Sequence, residues 1–296
     1  MAKSSFYSEQ SRNVWKSWLL VLVVFSFILL LSQVIALAWA PELSFVILVF
    51  AIVFSLAYTW YTYYHSADIV LKSTGARPAT KEEFQRLNNV VEELAISSGI
   101  PVPKIYVLDS NEINAFATGR DPKNAVIVFT TGILKTLNRD ELQGVAAHEL
   151  SHVKNYDVRF MTLVTAMVGI VSILAQVYLR GMWQGSRGGG RSRGNAVFLV
   201  LGLLLAIFAP FITRLVQMAV SRKREFLADA SGAQMTRYPE GLASALEKIA
   251  KYNKGDMQVN EAVSHLFIAD PVKSHLDSFF ATHPSLQERI KILRGM

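Results

Sequence analysis

The chain has 296 residues, of which 51% are hydrophobic and only 18% charged, with a formal charge of +7 and no cysteine. A soluble globular chain usually carries about 25% charged residues; here the deficit falls in a few long apolar runs, which points to a membrane protein. The lack of cysteine excludes disulfides, thiolate nucleophiles and thiolate-bound zinc. The basic excess has no aromatic-interleaved motif, so it reads as cytoplasmic flanks and contact with anionic lipid rather than nucleic-acid binding.

The first apolar run, residues 18–40, is long enough to cross about 30 Å of hydrocarbon. Ala38-Trp39-Ala40 resembles a signal-peptidase site. The apolar core nevertheless exceeds the roughly 7–15 residues of a signal peptide, and a second run, residues 43–63, follows at once. An uncleaved membrane hairpin over residues 1–64 is therefore expected. Tyr58, Trp60, Tyr61, Tyr63 and Tyr64 read as an interfacial aromatic belt. Lys3, Arg12 and Lys16 precede the first span, whereas the link carries only Glu42. The positive-inside rule then places the N-terminus, and the chain after Tyr64, in the cytoplasm.

Residues 65–159 are polar and mixed, the first half of a cytoplasmic domain. The spacing of Phe84, Leu87, Val91 and Leu94 predicts a helix over 81–98, ended by Pro101 and Pro103. Strands are expected at 104–108, 113–118 and, most strongly, 125–130. Such a short sheet can offer an edge strand to an extended peptide. Asn138 can cap a helix starting at Arg139, with Asp140 and Glu141 suited to its first turn. That helix carries His148-Glu149-Leu150-Ser151-His152, the pattern H-E-x-x-H. Its two imidazoles lie one turn apart on one face and can reach one divalent ion, most often zinc. Glu149 points aside, where it can hold and deprotonate a water, as in a metallopeptidase. Two solvated surface histidines are the plainer reading. Gly144, Val145, Ala146, Ala147 and Val153 argue against it, because that small, apolar context implies burial, which an ion would compensate. Asp157 is turned off the histidine face by its spacing and reads as structural.

A third run, residues 160–179, and a fourth, 196–220, make a second hydrophobic hairpin over 160–220. If both cross, Arg180, Arg187, Arg191 and Arg193 lie outside, against the positive-inside rule; a hairpin that only dips into the bilayer removes the conflict. Residues 221–296 form the second cytoplasmic half, with helices expected at 224–235, 239–251 and 285–294. Glu225 and Asp229 share a helical face. One could bind the metal while the other accepts the N–H of a ligating histidine, or both could be solvated acids paired with Arg222 or Arg224. His65, His265 and His275 read as interfacial, structural or surface residues.

Several separated motifs carry a resemblance: Asn114-Ala115-Phe116-Ala117-Thr118-Gly119, Ala147 to His152 with Asp157, Arg224-Glu225-Phe226-Leu227-Ala228-Asp229, and Thr282-His283-Pro284 with Arg289. In this order, over nearly the whole chain, they resemble the HtpX-type membrane zinc metalloproteases and, more distantly, the CAAX prenyl proteases. The resemblance implies one Zn2+ per chain, held by His148, His152 and Glu225, with Glu149 as catalytic base. It implies that Asp229 orients a ligand and that Asn114 lies beside the substrate-binding strand. His283 would stabilise the oxyanion and Arg289 brace the acidic pair, although a histidine before proline could equally cap the last helix. Ser285 stands where the family often has a second proline. The implied fold is α+β, mainly α: a polytopic membrane protein with a gluzincin-like zinc peptidase domain, a short sheet plus the H-E-x-x-H helix. The implied function is a zinc metalloendopeptidase of the cell membrane, cutting membrane or misfolded proteins at the cytoplasmic face in stress-related quality control. Its partners would be protein substrates and the lipid bilayer, with no nucleic acid. One alternative is prenyl-protein processing, whose enzymes enclose the site in more spans. The other is a non-enzymatic scaffold or transporter with a structural metal, which would normally have four protein ligands.

Overall fold

This computed structural model describes residues 41–82, 84–163, 222–257, 259, 261–271 and 284–296, together with Gly202 and scattered positions between 15 and 33. His283, His275, the 180–195 link and, beyond Leu163 and apart from Gly202, the two later apolar runs lie outside the described residues. The described positions between 15 and 33 are helical. Trp18 stacks on Tyr63 at 6.4 Å and Gln33 Nε2 donates to Ser44 O at 3.3 Å, so this helix folds back along the next one.

A 3₁₀ turn at Pro41–Leu43 leads into α1, Ser44–Thr74. The stretch Pro41–Thr74 is long and apolar enough to cross a membrane; its most apolar part has a mean hydropathy of 2.2 and is 11% buried. Phe45, Phe50 and Trp60 point outward, which lipid accommodates and water does not. The expected span ended near Tyr63. The helix instead runs on to Thr74, with one non-helical residue at His65. The reason is packing: Val70 and Leu71 are buried against the sheet, and Gly75, at φ 72°, supplies the left-handed cap that ends the helix.

The sheet comprises β1 (Arg77–Pro78), β2 (Lys104–Leu108), β3 (Ala115–Gly119) and β4 (Ala125–Thr130), in the order β1-β2-β4-β3. The β2–β4 pair is parallel and the outer pairs are antiparallel. β4 is buried along its whole length, as its unbroken apolar sequence requires. β3 is an edge strand. It starts later than expected because the backbone of Ile113 bonds to the Asn253 side chain, with Asn253 Oδ1 accepting at 2.7 Å and Nδ2 donating at 2.9 Å. Between β1 and β2, α2 (Gln85–Ser98) buries Leu87, Val90, Val91 and Leu94, and Gly99 ends it before the prolines.

After β4 come α3 (Thr131–Thr136) and α4 (Arg139–Lys154). Asn138 and Glu141 close a reciprocal capping box at the start of α4, and Lys248 holds Glu141 at 2.7 Å. The remaining described helices are α5 (Arg222–Thr236), α6 (Pro239–Tyr252), the short α7 (Glu261–Ser264) and α8 (Leu286–Arg294). α4 is the central element, packed on α2, β3, α5 and α6. At Gly144 a Cβ would lie 2.5 Å from the Leu242 backbone nitrogen. Gly144→Ala is therefore expected to push α6 off α4 and to cost about 1–3 kcal/mol, measurable as a lowered unfolding midpoint; an unchanged midpoint would contradict this packing.

The two faces of the sheet serve different ends. Ala115, Ala117, Ile127 and Phe129 pack with Val145, Ala146 and Leu150 of α4. Phe116, Val126 and Val128 pack with Val70 and Leu71 of α1 and with Met161 and Phe267. The sheet thus joins the end of the apolar helix to the helix bearing H-E-x-x-H. Cations on the aromatic belt strengthen the join: Arg120 lies 4.5 Å over the Tyr64 ring, and Arg159 lies over Tyr63 and Tyr156. Arg159 Nε donates to the Arg120 carbonyl at 2.7 Å.

Candidate metal centre

α4 and α5 bring His148, His152 and Glu225 together, all buried, with potential ligand atoms within 4.8 Å of one another. The two Nε2 atoms are 3.2 Å apart. Glu225 lies 3.5 Å from His148 Nε2 and 3.6 Å from His152 Nε2. Bonds of about 2.0–2.1 Å at a tetrahedral centre separate neighbouring ligand atoms by about 3.4 Å, so this spacing fits one zinc-sized ion. Gly232 allows the approach: a Cβ there would sit 3.1 Å from the His148 backbone nitrogen. Glu149, next to His148 and 2% exposed, is not one of the clustered groups.

Each imidazole is backed by a carboxylate. His148 Nδ1 lies 2.9 Å from Asp229 Oδ1. Arg289, fully buried, grips Asp229 with two hydrogen bonds, Nε to Oδ2 at 2.8 Å and Nη2 to Oδ1 at 2.7 Å. Its Nη1 donates to the Ile268 carbonyl and lies 3.5 Å from Glu225 Oε2. The acidic pair therefore shares Arg289. On the other side, His152 Nδ1 lies 3.1 Å from Asp157 Oδ2.

That contact corrects the expectation that spacing turns Asp157 off the histidine face. The spacing argument assumed a continuous helix, whereas α4 ends at Lys154, Asn155 caps it, and Tyr156 adopts φ 60°. The left-handed turn swings Asp157 back onto His152. The sequence carries little signal for this return, because the left-handed position after a helix is usually Gly or Asn and here it is Tyr156. Arg224, whose guanidinium lies 5.2 Å over the Phe160 ring, approaches Asp157 at 3.7 Å.

The electrostatics favour a cation at the imidazoles. Burial and the Arg289 charge push the His148 pKa down, but hydrogen bonds to Asp229 and Glu225 outweigh them and hold it up at about 9. A divalent cation at Nε2 would take the place of that proton, and a donor set of two nitrogens and one oxygen is one that zinc accepts. Burial raises Glu149 above the usual carboxylate range, against the pull of the neighbouring imidazoles. Asp229 is pushed up by burial, but the Arg289 charge and its hydrogen bonds to His148 and Arg289 leave it below the usual range.

Asn114 immediately precedes β3 and is wholly buried. Its Nδ2 donates to the Ala269 carbonyl at 2.9 Å and its Oδ1 accepts from Ala115 N at 3.1 Å, so it clamps the 268–269 segment to the strand. Thr130 N donates to Asn114 O, which turns the alternate residues Ala115 and Ala117 toward the outer edge. Ile268 N already bonds to Ala115 O at 2.9 Å. His265 is buried, with Nε2 3.4 Å from the Met161 carbonyl, rather than at the surface. His65 faces Asp68.

Comparison with known proteins agrees with this geometry. Residues 81–296 match the pattern of Peptidase family M48. The chain is 43% identical to a "Protease HtpX homolog" of Caldanaerobacter subterraneus subsp. tengcongensis over 300 aligned residues, covering 100% of this chain and 99% of the relative. Identity is 43% to the relative of the same description from Dictyoglomus thermophilum, covering 100% and 96%. It is 37% to that from Streptococcus uberis, covering 98% and 99%. Among solved structures, the crystal structure of S. mikatae Ste24p is similar at a TM-score of 0.55 and 20% identity, over 96% of this chain and 67% of that one, a likeness of fold.

Proposed function

The chain belongs to peptidase family M48, so it is a metalloprotease, and we propose that it is a zinc endopeptidase held at the cytoplasmic face of a cell membrane. The observation that carries the reading is the buried cluster of His148, His152 and Glu225 with Glu149 alongside. Among the described residues three protein ligands converge, which would leave a position open, as in catalytic rather than structural zinc sites.

In this reading His148 and His152 present Nε2 and Glu225 presents carboxylate oxygen to one Zn2+. An ion held there would acidify a coordinated water and polarise the scissile carbonyl. Glu149, buried next to His148, accepts the proton of the attacking water and returns it to the leaving amine. Asp229 fixes the His148 tautomer, and Arg289 holds Asp229 charged. The outer edge of β3 at Ala117 would receive an extended peptide by main-chain hydrogen bonds. Asn114 shapes that edge by holding the 268–269 segment. His283 is the proposed donor to the oxyanion.

The proposal includes a multi-pass organisation: membrane hairpins at 1–64 and 160–220, and halves of the peptidase domain at 65–159 and 221–296, with the N-terminus cytoplasmic. The apolar groove between the first helix and α1, lined by Trp18, Leu22, Phe25, Leu56, Trp60 and Tyr63, shares no residue with the metal cluster and suits lipid tails. The packing of Val70 and Leu71 under the sheet supports a site near the bilayer and so membrane-protein substrates; a quality-control role is what the resemblance implies. The test is cleavage of an unfolded protein by the detergent-purified full chain. Activity should vanish with a chelator and return with zinc; chelator-resistant cleavage by the pure protein would refute the reading.

A further inference from the structure

We propose that Asp157, with Arg224 behind it, is a positioning residue that aims His152 at the metal, the counterpart of Asp229 and Arg289 at His148. The inference rests on the zinc reading above. Asp157 Oδ2 is 3.1 Å from His152 Nδ1, and both groups are buried. Accepting the Nδ1–H fixes the tautomer in which Nε2 keeps its lone pair, and it restrains rotation of the ring. His148 is set in the same way by Asp229 at 2.9 Å. The two Nε2 atoms consequently converge to 3.2 Å, with the rings nearly perpendicular at 88°. Without a partner on Nδ1, an imidazole could take the other tautomer or rotate.

The two supports differ in origin and tightness. Asp229 and Arg289 come from α5 and α8 and form a two-bond grip at 2.7 and 2.8 Å. Asp157 comes from the turn after α4, where the left-handed Tyr156 delivers it. Arg224 approaches Asp157 more loosely, at 3.7 Å, while its chain neighbour is Glu225, the carboxylate of the cluster. The Arg224–Asp157 pair therefore ties the segment that aims His152 to the helix that supplies Glu225. It links two ligands that come from distant parts of the chain.

The experiment is zinc competition against a chelator on the full chain in detergent, for wild type, Asp157→Ala, Asp157→Asn and Arg224→Gln, with thermal unfolding of each zinc-stripped form. Asp157→Ala should raise the zinc dissociation constant about 10–100-fold. Asp157→Asn, which keeps an acceptor oxygen without charge, should lose less, and Arg224→Gln less than Asp157→Ala. Asp157→Ala leaves the buried Arg224 without this carboxylate and should also unfold earlier, whereas zinc-stripped Asp157→Asn, which keeps the shape, should unfold near the wild-type temperature while still binding zinc more weakly than wild type. Wild-type zinc affinity in both Asp157 variants would overturn the proposal, as would an Asp157→Asn protein whose zinc-stripped form unfolds markedly earlier while its zinc affinity is that of wild type. A wild type that holds no zinc would instead bring down the zinc reading on which the proposal stands.

Discussion

Glu149→Gln should lower proteolysis by about 10²–10⁴-fold while the protein keeps its zinc. The substitution preserves shape and removes only the capacity to take a proton. Glu149 is not among the clustered groups, which are His148, His152 and Glu225, so the ion's protein ligands are untouched. Glu149 is almost wholly buried beside them, and burial raises its pKa. Loss of the proton acceptor leaves substrate binding and carbonyl polarisation in place, so some residual activity is expected. Turnover of a peptide substrate and zinc content, measured on the same sample, check both halves. Activity within a few-fold of wild type would remove Glu149 from the mechanism, and loss of zinc would make it part of the metal site.

Arg289→Ala should destabilise the peptidase domain by about 3–5 kcal/mol, because it leaves the buried Asp229 carboxylate without its cation. Arg289 is fully buried, and its hydrogen bonds reach Asp229 and the Ile268 carbonyl. The loss would show as a lower unfolding midpoint and weaker zinc retention, since His148 would lose a firmly held partner. A midpoint equal to wild type would contradict the account of the pair. Acid sensitivity follows from the same geometry. The Asp229 pKa is depressed in the native state, so its contribution is present above the ordinary carboxylate pKa of about 3.9 and is lost as pH falls through the lower native value. In Arg289→Ala the lowering by the guanidinium is gone and burial pushes the Asp229 pKa up, so this acid-dependent loss of stability should shrink or reverse relative to wild type.

Local rules made much of the fold legible in the sequence. β2 and β4 lie where their β-branched runs predicted, and α4 starts at Arg139 behind the Asn138 cap. α6 and α8 follow their periodicity to within a residue or two. The convergence of Glu225 on His148 and His152 was open to the chain alone only as one of two acids, since nothing local says which of Glu225 and Asp229 faces the imidazoles. Three other features needed tertiary information. The end of α1 is set by burial of Val70 and Leu71 under a sheet formed later in the chain. The start of β3 is set by Asn253, far away in sequence. Asp157 was misread because a helical wheel extends a helix past its true end, whereas the positive φ of Tyr156 reverses the direction of the chain. Asn114 presented a subtler difference: the strand it precedes lies against α4, but its own side chain faces inward to Ala269.

The central claim is a single zinc held by His148, His152 and Glu225 with a position left open. X-ray absorption at the zinc edge, on the detergent-purified full chain, tests it most directly. The account predicts one zinc per chain with two imidazole nitrogens at about 2.0–2.1 Å and oxygen ligands completing the shell, at least one of them exchangeable solvent. A shell with more than two imidazoles, a closed set of four protein ligands, or a spectrum unchanged in Glu225→Ala would contradict it.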